Sequence, residues 1–302
     1  MTVPLVLNEL SCVGWPDSPR ERAECVQNLA ATLSALSRLR RRSFLLSETK
    51  IGSLSFGTFT FNSFFNEPTC RDAVRQILAF ANRSPLSSFG EIDSDIGECF
   101  VGEQSSRGIY FALLIGTAAI SFPTSEQWRN STISVHIQEL GKEAAIVDRS
   151  DLAPNMSLPE HVNTHFDLIS GFRDLDVFDG GEVWSKRSDW FPSLDFLTRV
   201  EGDLRSLKTN SLQLMQVVNR LFEIECAIAS WDPQIGLPEW KSKVTSEGEQ
   251  RRHYCQFNSS AGQSEVYDWH ARFTPGAGRI HFRMVPNARR AEVAYIGPKL
   301  GA

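Results

Sequence analysis

The stretch 266–283, V-Y-D-W-H-A-R-F-T-P-G-A-G-R-I-H-F-R, constrains the fold most. Apolar and polar residues alternate in two runs, which is the period of half-buried strands. Tyr267, Trp269, Ala271 and Phe273 share one face of the first run, and Asp268, His270, Arg272 and Thr274 the other. In the second run Ile280, Phe282 and Met284 oppose Arg279, His281 and Arg283. Pro275-Gly276-Ala277-Gly278 between them reads as a hairpin turn. The expected hairpin gathers His270, Arg272, Arg279, His281 and Arg283 on one polar face, with directly opposed Cβ atoms about 4.5–5.5 Å apart. Such a set of cations repels itself and calls for an anion, most directly a nucleic-acid phosphate. Arginine meets phosphate bidentately, and histidine exchanges a proton near neutral pH. The plainer alternative is a solvated or packing face of an ordinary antiparallel pair. A generic solvated face mixes Lys, Glu, Thr and Ser, whereas this one is almost all Arg and His.

The charge distribution points to the same end of the chain. From Lys241 onward ten Lys or Arg stand against five acids, +5, so residues 1–240 carry −10 of the overall −5. His253, His270 and His281, three of the six histidines, also lie in this tail. A basic segment on an acidic body suggests localised anion binding rather than general coating of nucleic acid. It also permits a regulatory arrangement in which the acidic body covers the basic tail until a protein partner releases it.

At 302 residues and 41% hydrophobic content, the chain has the size and composition of one large or two ordinary globular domains. The most apolar stretch, 109–122, is about 14 residues long and broken by Gly116, too short for a membrane span. The N-terminus lacks a signal-peptide pattern. A cytoplasmic protein without membrane association is therefore expected. Cys12, Cys25, Cys70, Cys99, Cys226 and Cys255 are scattered without a paired spacing, which predicts free thiols and no zinc site. No cofactor is expected, and the missing Walker, dinucleotide and G-x-S-x-G motifs rank ATPase, dehydrogenase and hydrolase readings low.

In chain order, 4–10 predicts a buried strand and 20–40 a helix with Cys25, Leu29, Leu33 and Leu36 on one stripe. The basic run 38–42 at its end suits the helix dipole. A strand follows at 43–48, then an aromatic cluster at 54–65 and a helix at 69–82 with Ala73, Val74, Ile77, Leu78 and Ala81 inward. Glu91, Asp93, Asp95 and Glu98 read as an acidic loop rather than a cation site, since the full calcium-loop spacing is missing. Residues 109–122 read as a buried element and 132–140 as a strand. Residues 148–181 read as mostly loop, with His161 and His165 too isolated to hold a metal and Asp174, Asp176 and Asp179 exposed.

From Leu194 the spacing Leu194, Leu197, Val200, Leu204, Leu207 predicts a helix. A second, capped by Ser211, runs to Trp231 and forms an antiparallel hairpin with the first. Strands are predicted at 251–257, 265–273, 278–285 and 291–296. The whole is expected to be α+β. A mixed α/β domain spans 1–180, and a helical hairpin on a small antiparallel sheet spans 181–302.

Two helices followed by antiparallel strands with Arg, His and Lys on one face resemble the RelE/ParE toxin superfamily. The resemblance rests on R-I-H-F-R at 279–283 and V-A-Y-I-G-P-K-L at 293–300, and covers about 110 residues, 192–302. Typical members are shorter, stand alone and begin with a strand, which is not evident here after Gly181. The resemblance implies a basic concave sheet face and metal-independent RNA cleavage, or gyrase inhibition in ParE-like members. Such domains also occur in phage defence, so a toxin-like or defence effector is implied.

In that reading His270 and His281 supply base and acid, and Arg279 and Arg283 stabilise the phosphorane. Arg272, Tyr295 and Lys299 bind the substrate. RNA, with DNA or the ribosome as alternatives, is the expected partner. A non-catalytic nucleic-acid or nucleotide-binding module, or a protein–protein regulatory component of a defence system, is the alternative.

Overall fold

The computed structural model describes residues 3–39, 43–56, 59–83, 97–140, 146–171, 179–209, 211–241, 244–273 and 277–301. The chain forms two compact units, Met1–Leu175 and Asp176–Ala302. Both contain helices and sheets, so the fold class is α+β. The expected acidic residues Glu91, Asp93 and Asp95, Arg40–Arg42, Asp174, Asp176 and the turn residues Pro275 and Gly276 fall outside the described residues.

The first unit begins with β1 (Val3–Leu7), α1 (Pro19–Leu39) and β2 (Ser43–Leu46). Then come the short pair β3 (Ser55–Phe56) and β4 (Phe59–Thr60), α2 (Arg71–Asn82), β5 (Glu98–Val101) and β6 (Gln104–Ser105). The unit closes with α3 (Arg107–Ile115), β7 (Ala119–Ile120), α4 (Glu126–Arg129), β8 (Thr132–Leu140), β9 (Ile146–Met156), α5 (His161–Thr164) and α6 (Phe166–Ser170). Its seven-stranded sheet has the order β2-β1-β7-β9-β8-β5-β6, with β2, β1, β7 and β9 parallel and the remaining pairings antiparallel.

The stripe on α1 is buried as its spacing requires, with Cys25, Leu29, Leu33 and Leu36 all at 1% exposure or less. The aromatic run packs as a cluster in which Trp15 meets Phe56, Phe59, Phe64 and Phe122. In α2 it is Val74, Ile77 and Phe80 that are buried, while Ala73, Leu78 and Ala81 flank them. The apolar stretch 109–122 is a helix followed by a two-residue strand. Ser106 caps the helix through Ile109 N, and Gly116 ends it.

Strand β9 corrects the expected loop. Its N-terminal half is exposed, so Asp148, Arg149, Ser150 and Asp151 leave no apolar alternation to read. The carboxyl edge of the parallel strands is closed by a buried polar network. Asn8 Nδ2 donates to Ser121 Oγ at 3.0 Å, and Ser121 Oγ donates to Asn155 Oδ1 at 2.7 Å. Asn155 Nδ2 in turn bonds the carbonyls of Trp128 and Asn130.

The second unit runs α7 (Gly180–Trp190), β10 (Leu194–Phe196), α8 (Val200–Ser206), α9 (Leu212–Ala229) and β11 (Val244–Ser246). There follow a 3-10 turn (Glu249–Cys255), the small hairpin β12 (Gln256–Asn258) and β13 (Ser264–Val266), and then β14 (Trp269–Phe273), β15 (Gly278–Val285) and β16 (Arg290–Pro298). The five-stranded sheet has the order β10-β16-β15-β14-β11; β10 runs parallel to β16 and the other pairs are antiparallel.

Four expectations change here. The spacing from Leu194 spans a strand and a helix of about two turns, because Leu194 pairs with Ala291 of β16 while Val200 and Leu204 turn into the core. α8 packs on α7 and β16, and α9 lies on β14 and β16, so the helices do not form a simple hairpin with one another as their main contact. The predicted strand at 251–257 is a 3-10 turn leading into β12, and the predicted strand at 265–273 breaks at Tyr267-Asp268 into β13 and β14.

Candidate functional site: a buried histidine–arginine row

The register of β14 and β15 sets His270 directly opposite His281 and Arg272 opposite Arg279. Across β15 and β16, His281 faces Tyr295 and Arg279 faces Gly297. Across β11 and β14, Thr245 faces His270. Thr245, His270, His281 and Tyr295 therefore form one row over four strands. The His270 and His281 ring centroids are 5.4 Å apart, and the His281 and Tyr295 centroids 5.9 Å.

The expected open basic face is instead covered. His270 is 5% exposed, Arg279 6% and His281 1%. α9 packs on the sheet, and the segment 247–267 reaches the polar row. His281 Nδ1 lies 3.2 Å from the Tyr267 carbonyl, and Phe257 of β12 meets the Tyr295 ring. Ser260 Oγ donates to Glu292 at 3.0 Å, and Arg251 donates to the Leu300 carbonyl.

Burial sets the electrostatics. It pushes the His270 pKa down from 6.5 to about 3, helped by His281, Arg279 and Arg272. His281 is also lowered, first by burial. The arginines thus act in the same direction as burial but behind desolvation, which disfavours any charged form. Both rings are neutral at neutral pH. His281 Nδ1 carries the proton given to Tyr267 O, which leaves the Nε2 lone pair buried without a hydrogen-bond partner. His270 Nε2 pairs with Thr245 Oγ1 at 3.2 Å, and its Nδ1 stands 3.7 Å from Glu247 Oε1. Arg279 Nη1 donates to the Gly278 carbonyl at 3.0 Å.

Arg283 departs from the expected phosphate-binding set. Its guanidinium is 2.8 Å from Glu292 Oε2 and 3.2 Å from Glu265 Oε1. Glu292 also accepts the Tyr267 hydroxyl at 2.8 Å. Burial raises the Glu292 pKa, but hydrogen bonds from Tyr267, Arg283 and Ser260 outweigh it and hold the carboxyl below its ordinary value. Arg283 is thus committed to a buried carboxylate.

Glu292 and Tyr267 were not singled out from the sequence. A bulge at His281/Phe282 sets both Tyr295 and Glu292 against residues of the His281 face, although they are three apart. A strict period of two hides that relationship. Tyr295 is half-buried, and its hydroxyl donates to Pro298 O at 2.8 Å. Lys299 follows β16 and is half-exposed.

The chain matches no known family, no curated protein and no solved structure. Among the described residues no group of three or more His, Cys, Asp or Glu could hold a metal, and no helix is long and apolar enough to cross a membrane. His161 Nδ1 accepts from Ser157 N, and His165 Nε2 pairs with the Ser131 carbonyl, so both rings serve the local backbone.

Proposed function

We propose that the second unit is a metal-independent ribonuclease of a toxin-like or phage-defence effector, acting through His281, His270, Arg279 and Arg272. One observation carries the reading: His270 and His281 are held neutral and directly opposed, with the Arg272–Arg279 pair two residues along the same face. The resemblance of 192–302 to RelE-like ribonucleases supports it. So does the order of strand β10, helices α8 and α9, and then antiparallel strands, which supplies the leading strand such domains begin with.

In this mechanism His281 Nε2 accepts the 2′-hydroxyl proton, and the oxygen attacks the adjacent phosphorus. Arg279 and Arg272 stabilise the charge that develops on the phosphorane. An anionic phosphate beside the rings favours their charged forms, so substrate binding raises their pKa values. His270 then carries the proton required by the departing 5′-oxygen. General base and acid each contribute typically 10²–10⁴-fold. Residues 247–267 cover the row in this structure, so substrate entry requires that segment to move. Arg283 is reassigned from catalysis to holding Glu292.

The test is incubation of the full chain, in EDTA, with an oligoribonucleotide and with its 2′-O-methyl counterpart. Cleavage of the first alone, leaving 2′,3′-cyclic phosphate ends, is the expected result. Cleavage of neither removes the ribonuclease reading. The burial of both rings favours a second reading, a nucleic-acid-binding module without chemistry, which predicts salt-sensitive retention of RNA and no product.

A further inference from the structure

The Tyr295 end of the polar row is half-buried and is built around two aromatic rings and a guanidinium. Tyr295 and Phe257 lie nearly parallel, at 16°, with centroids 6.2 Å apart. Every other described aromatic pair of this unit is tilted or edge-on, such as Phe257–Tyr267 at 78°. The Arg199 guanidinium carbon stands 5.0 Å from the Phe257 centroid and 5.1 Å from that of Tyr295.

Each part is held in place before any ligand arrives. Arg199 is paired with Asp203 at 3.3 Å, and Asp203 also accepts Ile296 N at 3.0 Å, which ties the start of α8 to β16. Arg199 nevertheless keeps 44% of its side chain exposed. The Tyr295 ring folds over Gly297, where a Cβ would come 2.5 Å from the tyrosine hydroxyl oxygen. Its hydroxyl is fixed on the Pro298 carbonyl. Phe257 is braced edge-on by Tyr267.

We infer that Phe257, Tyr295 and Arg199 form a nucleobase-stacking site for single-stranded RNA, beside the histidine row. The choice of RNA rests on the ribonuclease reading. Aromatic faces and a guanidinium plane bind bases by stacking, which needs no edge-specific hydrogen bonds and accepts every base. A base seated on Tyr295 leaves its sugar and phosphate near His281, whose ring is 5.9 Å from the Tyr295 ring. Little base preference is expected, because the site offers faces rather than donor and acceptor patterns.

The test separates binding from cleavage. A fluorescein-labelled, fully 2′-O-methylated single strand cannot be cut through a 2′-hydroxyl, and its affinity is read by anisotropy with the full chain. Loss of one stacked base by alanine substitution weakens binding roughly 5- to 150-fold. Phe257→Ala is expected to weaken binding within that range, Phe257→Trp to retain it, and Arg199→Leu to weaken it at an exposed position that leaves the fold intact. A duplex of the same sequence, with its bases paired, is expected to bind more weakly.

Unchanged affinity in both Phe257→Ala and Arg199→Leu overturns the inference and leaves the pair as a fastening for residues 247–267; the ribonuclease reading then stands or falls on its own cleavage assay. If Phe257→Ala fails to fold, Arg199→Leu alone decides. No binding by the parent chain overturns the inference whether or not RNA is cleaved.

Discussion

His270 lies directly opposite His281 across β14 and β15, with ring centroids 5.4 Å apart and neither ring more than 5% exposed. Two buried imidazoles this close disfavour each other's protonation, and burial disfavours it further.

That relationship predicts acid sensitivity. The unfolded chain binds a proton at His270 near the ordinary value of 6.5, whereas the folded chain resists until about 3. The stabilisation is present above 6.5 and is lost as pH falls towards about 3. Its full size is on the order of 5 kcal/mol. Urea unfolding at neutral pH and near pH 4 checks this, with His270→Gln as the variant expected to flatten the pH dependence. An equal slope in parent and variant contradicts the assignment.

The Arg283–Glu292 pair predicts a structural rather than catalytic phenotype. Glu292→Gln leaves Arg283, the Tyr267 hydroxyl and Ser260 without their shared carboxylate. Breaking a buried pair from one side costs about 3–5 kcal/mol. Glu265 still faces Arg283, so the loss is expected near the lower end, about 3 kcal/mol. Denaturant midpoints measure it, and a loss below about 0.5 kcal/mol, the scale of an exposed pair, contradicts the buried network.

Gly180→Ala is expected to separate α7 from α8. A Cβ at this position would sit 1.8 Å from the Leu204 carbonyl oxygen, with backbone rather than a movable side chain in the way. A destabilisation of about 1–3 kcal/mol, the range for overpacking, is expected in thermal or denaturant unfolding. An unchanged midpoint contradicts the close approach of these helices.

Thiol reactivity should follow burial. None of the six cysteines is in a disulfide, and Cys226 is exposed while the other five are buried. Burial pushes Cys12 and Cys99 up to about 12 and Cys25 and Cys255 to about 11, and it also raises Cys70. Since the thiolate is the reactive form, one thiol is expected to react promptly in the folded chain and the rest only on unfolding. Several equivalent fast thiols contradict the burial pattern.

Much of the second unit was legible because alternation and a Gly/Pro turn fix a hairpin's register. His270 against His281 and Arg272 against Arg279 follow directly from it. What covers that face was not legible. Residues 251–257 read as a strand but form a 3-10 turn leading into β12, and no local pattern says that this segment returns to the polar sheet face. Leu194 and Leu197 kept helical spacing with Val200 and Leu204 although the chain between them is extended. Strand pairing across nearly a hundred residues, Leu194 with Ala291, decided that conformation, and local periodicity cannot report it.

The most direct measurement is the rate of RNA cleavage in EDTA by the full chain and by His281→Ala. The account predicts cleavage by the parent and a loss of at least about 100-fold in the variant, the lower bound for removing a general base. Equal rates in the two proteins, or no cleavage by the parent, contradict it.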